Sequence, residues 1–559
     1  MPFSIPVSDQ ARVLRDVVDL PGLARHERFE AADSELVEAV LEGAAQFATG
    51  TFLPLHRTGD EEGARLVDGK VVLPDGFKRA YDAFVEGGWM TLSAPARWGG
   101  QALPLSLSAA LMEDLNATNI AFALCPMLSM GAIEALEAYG SDELKERYLE
   151  KIVSGEWPAT MNLTEPQAGS DVGALTSKAV PTGDGSWKIS GQKIYITYGE
   201  HELTENIIHL VLARTPDAPA GTRGISLFLV PKILPDGSRN DLKCTKLEEK
   251  LGIHASPTCV MQYGDEGGAT GWLIGEEHGG MRAMFVMMNN ARINVGLQGV
   301  GIAEAATQKA VDYALERKQG TRAGLASPIA DHPDVRRMLM RMRSLTMAAR
   351  ALTYYAFGCL DWGATGYAAM QRRGDVLTPM AKAWATDVGC EVASLGVQVH
   401  GGMGYVEETG AAQYLRDARI APIYEGTNGI QAADLAGRKL DLDGGLAFDG
   451  LIADIRAEAV DERLQALADA VEQAAVMLRS AAPDTRMAGS YPFLTMCSVL
   501  VGGWLLEKMA QAVDADARTR AASAFFNATI VPEAFGLGAA AGVGAELLYA
   551  LETEALGAA

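Results

Sequence analysis

Across residues 159–278 the 559-residue chain changes texture, and that change limits the available folds more than any single motif. Upstream, apolar residues recur three and four apart over Ser34–Phe47, Gly76–Glu86, Leu105–Ala117 and Asp142–Ser154, which predicts amphipathic helices. Ser141 before Asp142 and Glu143 fits a helix start. From Ala159 glycine and proline become frequent and short β-type runs appear: Ile207–Ala213, Ile225–Val230 and Thr258–Tyr263 read as strands. Trp187–Thr197 reads as a hairpin turning at Ser190, Gly191 and Gln192. Helical periodicity returns near Gly279, with long stretches at Arg292–Lys318, Asp334–Leu360 and Pro379–Val399 that suit a bundle. Strands and helices do not alternate, so a doubly wound parallel sheet is not supported.

The expected class is therefore mainly α with a middle β domain of barrel or sandwich type. The domains read as an N-terminal extension over 1–35, a helical domain over 36–158, a β domain over 159–278, a helical bundle over 279–440 and an additional Ala-rich helical domain over 451–559. Asp441–Gly450 reads as a linker.

Composition removes several function classes. A net charge of −23, from 48 basic and 71 acidic residues, repels nucleic-acid phosphate and anionic lipid, so neither is an expected partner. The 6 cysteines form no CxxC pair, which suits a reducing compartment without a disulfide framework. The 8 histidines show no HExxH and no close pair, so no metal site is expected. The N-terminal sequence lacks the pattern of a secretory signal. The apolar stretch near Phe493–Leu506 contains Gly502 and Gly503 and reads as a buried helix, not a membrane span. A cytoplasmic protein is the expectation.

Three segments could carry chemistry. Gly536–Ala541 (GLGAAA) matches the glycine pattern of dinucleotide sites, but no strand precedes it and helix packing is the expected role. Met161–Gly173 (MNLTEPQAGSDVG) offers Thr164, Ser170 and glycine-freed N–H groups to a phosphate or a ring edge. Gln398–Arg419 brings Gly401, Gly402 and Gly404, where the backbone can approach a flat or phosphorylated ligand. Soon after, Glu425 stands between Tyr424 and Gly426 in IYEGTNGIQ, a carboxylate on a turn.

Taken together these segments resemble the acyl-CoA dehydrogenase family. The resemblance rests on LTEPQAGSDVG at 163–173, GQKIYIT at 191–197, IGEEHGGM at 274–281, MNNARINVGLQGVG at 288–301, ALERKQG at 314–320, QVHGGMGY at 398–405 and IYEGTNGIQ at 423–431, all in family order. The extension and the tail resemble a larger subgroup that includes the 3-methylmercaptopropionyl-CoA dehydrogenases.

The resemblance implies a helical N-domain, a β domain and a four-helix bundle, with FAD as cofactor and an acyl-CoA as substrate in fatty acid metabolism. It implies that Glu425 abstracts the α-proton while flavin N5 takes the β-hydride, giving a trans-2-enoyl-CoA. Met161, Leu163 and Thr164 would lie along the isoalloxazine ring and Thr197 would contact it. Ser170 would meet the pyrophosphate or the thioester arm. Arg317, Gln398 and Gly402 would hold the ADP part of a partner subunit's FAD, and Thr427 and Asn428 would touch their own subunit's FAD. Arg292 matches a substrate-site arginine, and Tyr424 and Gly426 flank the base on the substrate side.

The resemblance also implies electron-transfer flavoprotein as electron acceptor. The extra domain resembles a fused half-assembly, which implies a homodimer. Tyr195 departs from the family's usual Trp, Gly320 from a frequent Phe and Asn289 from a frequent Asp. Some relatives carry the base just before the helix arginine; Ala291 occupies that position here and leaves Glu425 as the candidate. Two alternatives share the scaffold: an acyl-CoA oxidase, and a non-catalytic DNA-associated flavoprotein, which the acidic tail disfavours.

Overall fold

The computed structural model describes residues 3–557, which divide into two compact units. The second unit holds residues 44–103 and 114–291. In it an antiparallel hairpin, β1 (Arg65–Val67) and β2 (Lys70–Val72), precedes eight strands. These are β3 (Ala159–Asn162), β4 (Lys178–Pro181), β5 (Trp187–Thr197), β6 (Ile208–Arg214), β7 (Ile225–Pro231), β8 (Leu242–Leu247), β9 (Thr258–Tyr263) and β10 (Ala269–Ile274). Their order is β10-β7-β6-β4-β5-β9-β8, with β3 paired to β6. An added β10–β5 pairing curls the sheet back on itself. Strands β6 and β7, inside this sheet, are buried along almost their whole length on both faces.

The hairpin expected at Trp187–Thr197 is absent: β5 runs through as one 11-residue strand. Gly191, at φ +140°, is there because a Cβ would collide with Ser177 on the approach to β4, not because the chain turns. A glycine inside a strand pattern marks close backbone approach as readily as a turn. Further along, the register shifts between Lys193 and Ile196, and Tyr195 takes the left-handed φ of +60°.

The first unit comprises residues 3–43, 104–113 and 292–557. Its helices include Pro333–Ala364, Ala368–His400, Asn428–Asp434, Leu446–Glu458, Glu462–Ser480 and Ser490–Gln511. Helix Gly280–Glu316 is shared between the two units by sequence and ends at a hairpin, β11 (Lys318–Arg322) and β12 (Leu325–Pro328). Pro379 lies inside helix Ala368–His400, which begins well before the proline where the sequence pattern places its start. The expected linker at Asp441–Gly450 is instead a tight turn, with Asp443, Gly444 and Gly445 all at positive φ, running straight into helix Leu446–Glu458.

Buried charge ties the N-terminal helix Val7–Asp16 to this unit. Asp9 accepts from Arg518 at 2.9 Å and lies 4.0 Å from Arg350, whose guanidinium also meets Glu113 and Glu304. The tail is equally integral: Phe493, Leu494, Leu500, Leu505 and Leu506 are fully buried.

By length and hydropathy, three helical stretches could cross a membrane: Leu105–Tyr139, Ser490–Gln511 and Ala517–Ala541. The first is longer and more apolar than the stretch near Phe493 picked out from sequence. Its most apolar window is 89% buried within the protein, and that of Ser490–Gln511 is 78% buried. The third is only 33% buried.

Candidate active site

Glu425 sits on the turn between helix Ala411–Ala418 and helix Asn428–Asp434. It adopts φ +55°, a region that costs a side-chain-bearing residue free energy and persists only where its surroundings enforce it. Three features enforce it here. Gly426 follows at φ +83°, a conformation open to glycine. Gln431 donates to the carbonyls of Glu425 and Gly426 at 3.5 and 3.4 Å. The Asn428 backbone N–H donates to the Pro422 carbonyl at 2.9 Å and closes the loop.

The helix that follows is capped by Thr427, whose hydroxyl accepts from the Ile430 N–H at 3.1 Å. Asn428 is buried and spends its amide on the Ala383 carbonyl, the Thr386 hydroxyl and the Asp387 carboxylate, at 2.9, 3.0 and 2.8 Å. Both residues thus hold the turn, which the motif alone did not reveal. Tyr424 donates its hydroxyl to Gln298.

The Glu425 side chain is half-buried and has no hydrogen-bond partner among the described residues. Burial pushes its carboxyl up to about 7, against the pull of Lys382 and, more weakly, Arg292. Arg292 is buried; desolvation lowers its pKa, and Asp434, 3.8 Å away, and Glu425 oppose that. The Arg292 Nε and the Gln431 Oε1 are both buried without a partner among the described residues. A carboxylate with free acceptor capacity beside an unspent donor is what a base for an oxygen-bearing substrate requires.

Lys382 was not singled out from sequence. It lies mid-helix in an apolar run, and only the fold brings its Nζ to Asn428 Oδ1 at 2.9 Å. Burial brings its ammonium down to about 7, with Glu425 and Asp387 opposing.

The remaining expected residues fall in two groups. In the first unit, Arg317, Gln398 and Gly402 are all exposed. Gly401, at φ +62°, ends helix Ala368–His400, and a Cβ on Gly402 would meet nothing within 4 Å. In the second unit, Met161 is buried on β3, Leu163 and Thr164 follow it, Ser170 lies exposed on the loop and Thr197 ends β5. The hydroxyls of Thr164, Ser170 and Thr197 have no hydrogen-bond partner among the described residues.

A buried ion pair fixes the segment after β3. Lys193 Nζ donates to Glu165 at 2.8 Å and to the Leu163 carbonyl at 3.0 Å, and the Ile194 N–H donates to the Thr164 carbonyl at 2.9 Å. Glu165 also accepts from the Thr176 and Ser177 N–H groups at 2.7 and 3.1 Å.

Comparison with known proteins agrees along the length of the chain. Residues 34–156, 160–265 and 278–440 match the N-terminal, middle and C-terminal domains of acyl-CoA dehydrogenase. Residues 448–552 match the acetyl-CoA dehydrogenase C-terminal-like domain. The chain is 47% identical to the 3-methylmercaptopropionyl-CoA dehydrogenase of Ruegeria pomeroyi, over 95% of this chain and 94% of that one. It is 34% identical to the broad-specificity linear acyl-CoA dehydrogenase FadE5 of Mycobacterium tuberculosis, over 90% and 89%. In fold it is similar to an acyl-CoA dehydrogenase from Bacillus anthracis solved with FAD, with a TM-score of 0.75 at 22% identity, over 91% and 88% of the two chains. The chain belongs to the acyl-CoA dehydrogenase family.

Proposed function

We propose that the protein dehydrogenates an acyl-CoA thioester between its α- and β-carbons, with Glu425 taking the α-proton. The carrying observation is the state of that carboxyl: half-buried, without a hydrogen-bond partner among the described residues, and raised to about 7. A base is most effective when its pKa lies near the working pH, because it is then both ionised and strongly proton-seeking. Gln431 braces the turn through the Glu425 and Gly426 carbonyls, and the Arg292 cation acts on the carboxylate electrostatically.

FAD, when bound, supplies the acceptor for the β-hydride. The chain fits such a group. In the second unit Thr164, Ser170 and Thr197 keep their hydroxyls uncommitted among the described residues; in the first unit, taken by itself, Gln398 and Arg317 are exposed and a Cβ on Gly402 would meet nothing within 4 Å. Thr427 and Asn428 would serve by fixing the base-bearing turn. Electron-transfer flavoprotein is the proposed electron acceptor and a homodimer the proposed assembly. The 47%-identical relative supports testing a three-carbon thioether acyl-CoA first among substrates.

Glu425→Gln keeps the volume and removes the base. The variant is expected to retain flavin and to lose dehydrogenation by about 10²–10⁴-fold. Near-wild-type reduction of an artificial dye acceptor by that variant would remove Glu425 from the role. Measuring peroxide against dye reduction separates a dehydrogenase from an oxidase.

A further inference from the structure

Lys382 lies in helix Ala368–His400 with its side chain fully buried. Its Nζ is anchored on Asn428 Oδ1 at 2.9 Å. Asn428 in turn closes the turn that begins at Glu425, through its N–H to the Pro422 carbonyl and its amide to Ala383, Thr386 and Asp387. The charged groups facing Lys382 are Glu425 on the turn, Asp387 further along its own helix, and Arg292 on helix Gly280–Glu316. Asp387 is already committed: it accepts from Asn428 and from the Tyr491 hydroxyl at 2.7 Å on helix Ser490–Gln511, and Arg419 also acts on it. Glu425 is the carboxylate in this set with free acceptor capacity. A buried ammonium is costly, and an apolar side chain of the same length would fill the space without that cost. The charge at this position therefore calls for a function.

We propose that Lys382 is a positioning residue for the dehydrogenation: it fixes the Glu425–Asn428 turn through Asn428, and its charge keeps the base in its carboxylate form. This rests on Glu425 being the base. Lys382 is the largest electrostatic influence opposing the upward drift of the Glu425 carboxyl, ahead of Arg292. An anchor alone would need only a hydrogen-bond donor, whereas a charge-setting residue needs the cation. Glutamine keeps a donor and loses the charge, methionine loses both, and arginine keeps the charge.

The test is the pH profile of dye reduction by the full-length flavoprotein, wild type against Lys382→Gln, Lys382→Met and Lys382→Arg, with flavin content recorded for each. The acid limb is expected to move upward by about one pH unit in the Gln and Met variants. That corresponds to roughly a tenfold loss on the acid side, with recovery at high pH. Lys382→Arg keeps the wild-type limb. A loss by the same factor at every pH in the Gln and Met variants, with the limb unmoved, overturns the charge-setting role. If only one of the uncharged variants accumulates as flavoprotein, its limb decides alone. The base assignment is checked separately: inactive Glu425→Gln with an unmoved limb in Lys382→Gln removes this inference only, and active Glu425→Gln removes both.

Discussion

Gly426 shows how much of the site depends on one missing methyl group. At φ +83° a Cβ would stand 2.8 Å from Gln431 Nε2 and 3.6 Å from an Arg292 nitrogen. Gly426→Ala therefore strains the backbone and displaces the side chain that braces Glu425. The expected cost is about 1–3 kcal/mol of stability. A fall in dehydrogenation larger than the loss of folded protein is also expected, read by comparing turnover per bound flavin with the thermal midpoint. Unchanged turnover per flavin would mean that the turn does not need its present shape. Glu425 itself could be nominated from sequence, because it stands between an aromatic and a glycine in a chain that also carries the other family segments in order. Its burial, its left-handed backbone and the buried Lys382 bonded to Asn428 in the same turn could not, since each depends on elements distant in sequence.

Among elements, the β5 strand and the pair it carries are the instructive case. Strand periodicity located β6, β7 and β9 to within a residue or so, because apolar runs bounded by turn residues are strong local signals. Gly191 misled, since local sequence cannot distinguish a glycine that turns from one against which another strand packs. Pro379 misled for the opposite reason: it reads as a helix start, yet the surrounding helix absorbs it. Lys193 on β5 is fully buried and bonded to Glu165 and to the Leu163 carbonyl, so the strand fixes the segment that the resemblance places along the flavin.

Lys193→Met leaves Glu165 buried and without its cation, which should cost about 3–5 kcal/mol and weaken flavin retention, measured by denaturant unfolding and by flavin absorbance. For Glu165, burial opposes ionisation but Lys193 and the hydrogen bonds from Thr176 and Ser177 outweigh it, holding the carboxyl at about 2 against an ordinary 4.5. A depressed carboxyl contributes stability that is complete above the ordinary value and lost as pH falls through the folded one. The wild type should thus lose this contribution between those two values, and Lys193→Met should show little such loss. An equal acid dependence in the two proteins would contradict the assignment.

At the scale of the whole molecule, the order of helices, strands and helices was legible because hydrophobic period changes with secondary structure over long windows. The depth to which the tail is built into the first unit was not. Helix Ser490–Gln511 buries most of its length there, and its Tyr491 reaches Asp387, which holds Asn428 in the turn that carries Glu425. Amphipathic pattern marks the tail as helical and packed but does not say against what. Asp9, Arg350 and Glu304 show the same limit at the N-terminus, where residues hundreds of positions apart share one buried charge cluster.

All of the supports around the turn converge on the ionisation of one carboxyl. The most direct measurement is the exchange of the α-hydrogens of an enzyme-bound acyl-CoA into heavy water, followed by mass spectrometry for wild type and Glu425→Gln across the pH range. Exchange by the wild type should rise with pH through about 7, as the base ionises, and be absent from the variant at every pH. Exchange by Glu425→Gln at the wild-type rate, with the same dependence on pH, would contradict the account.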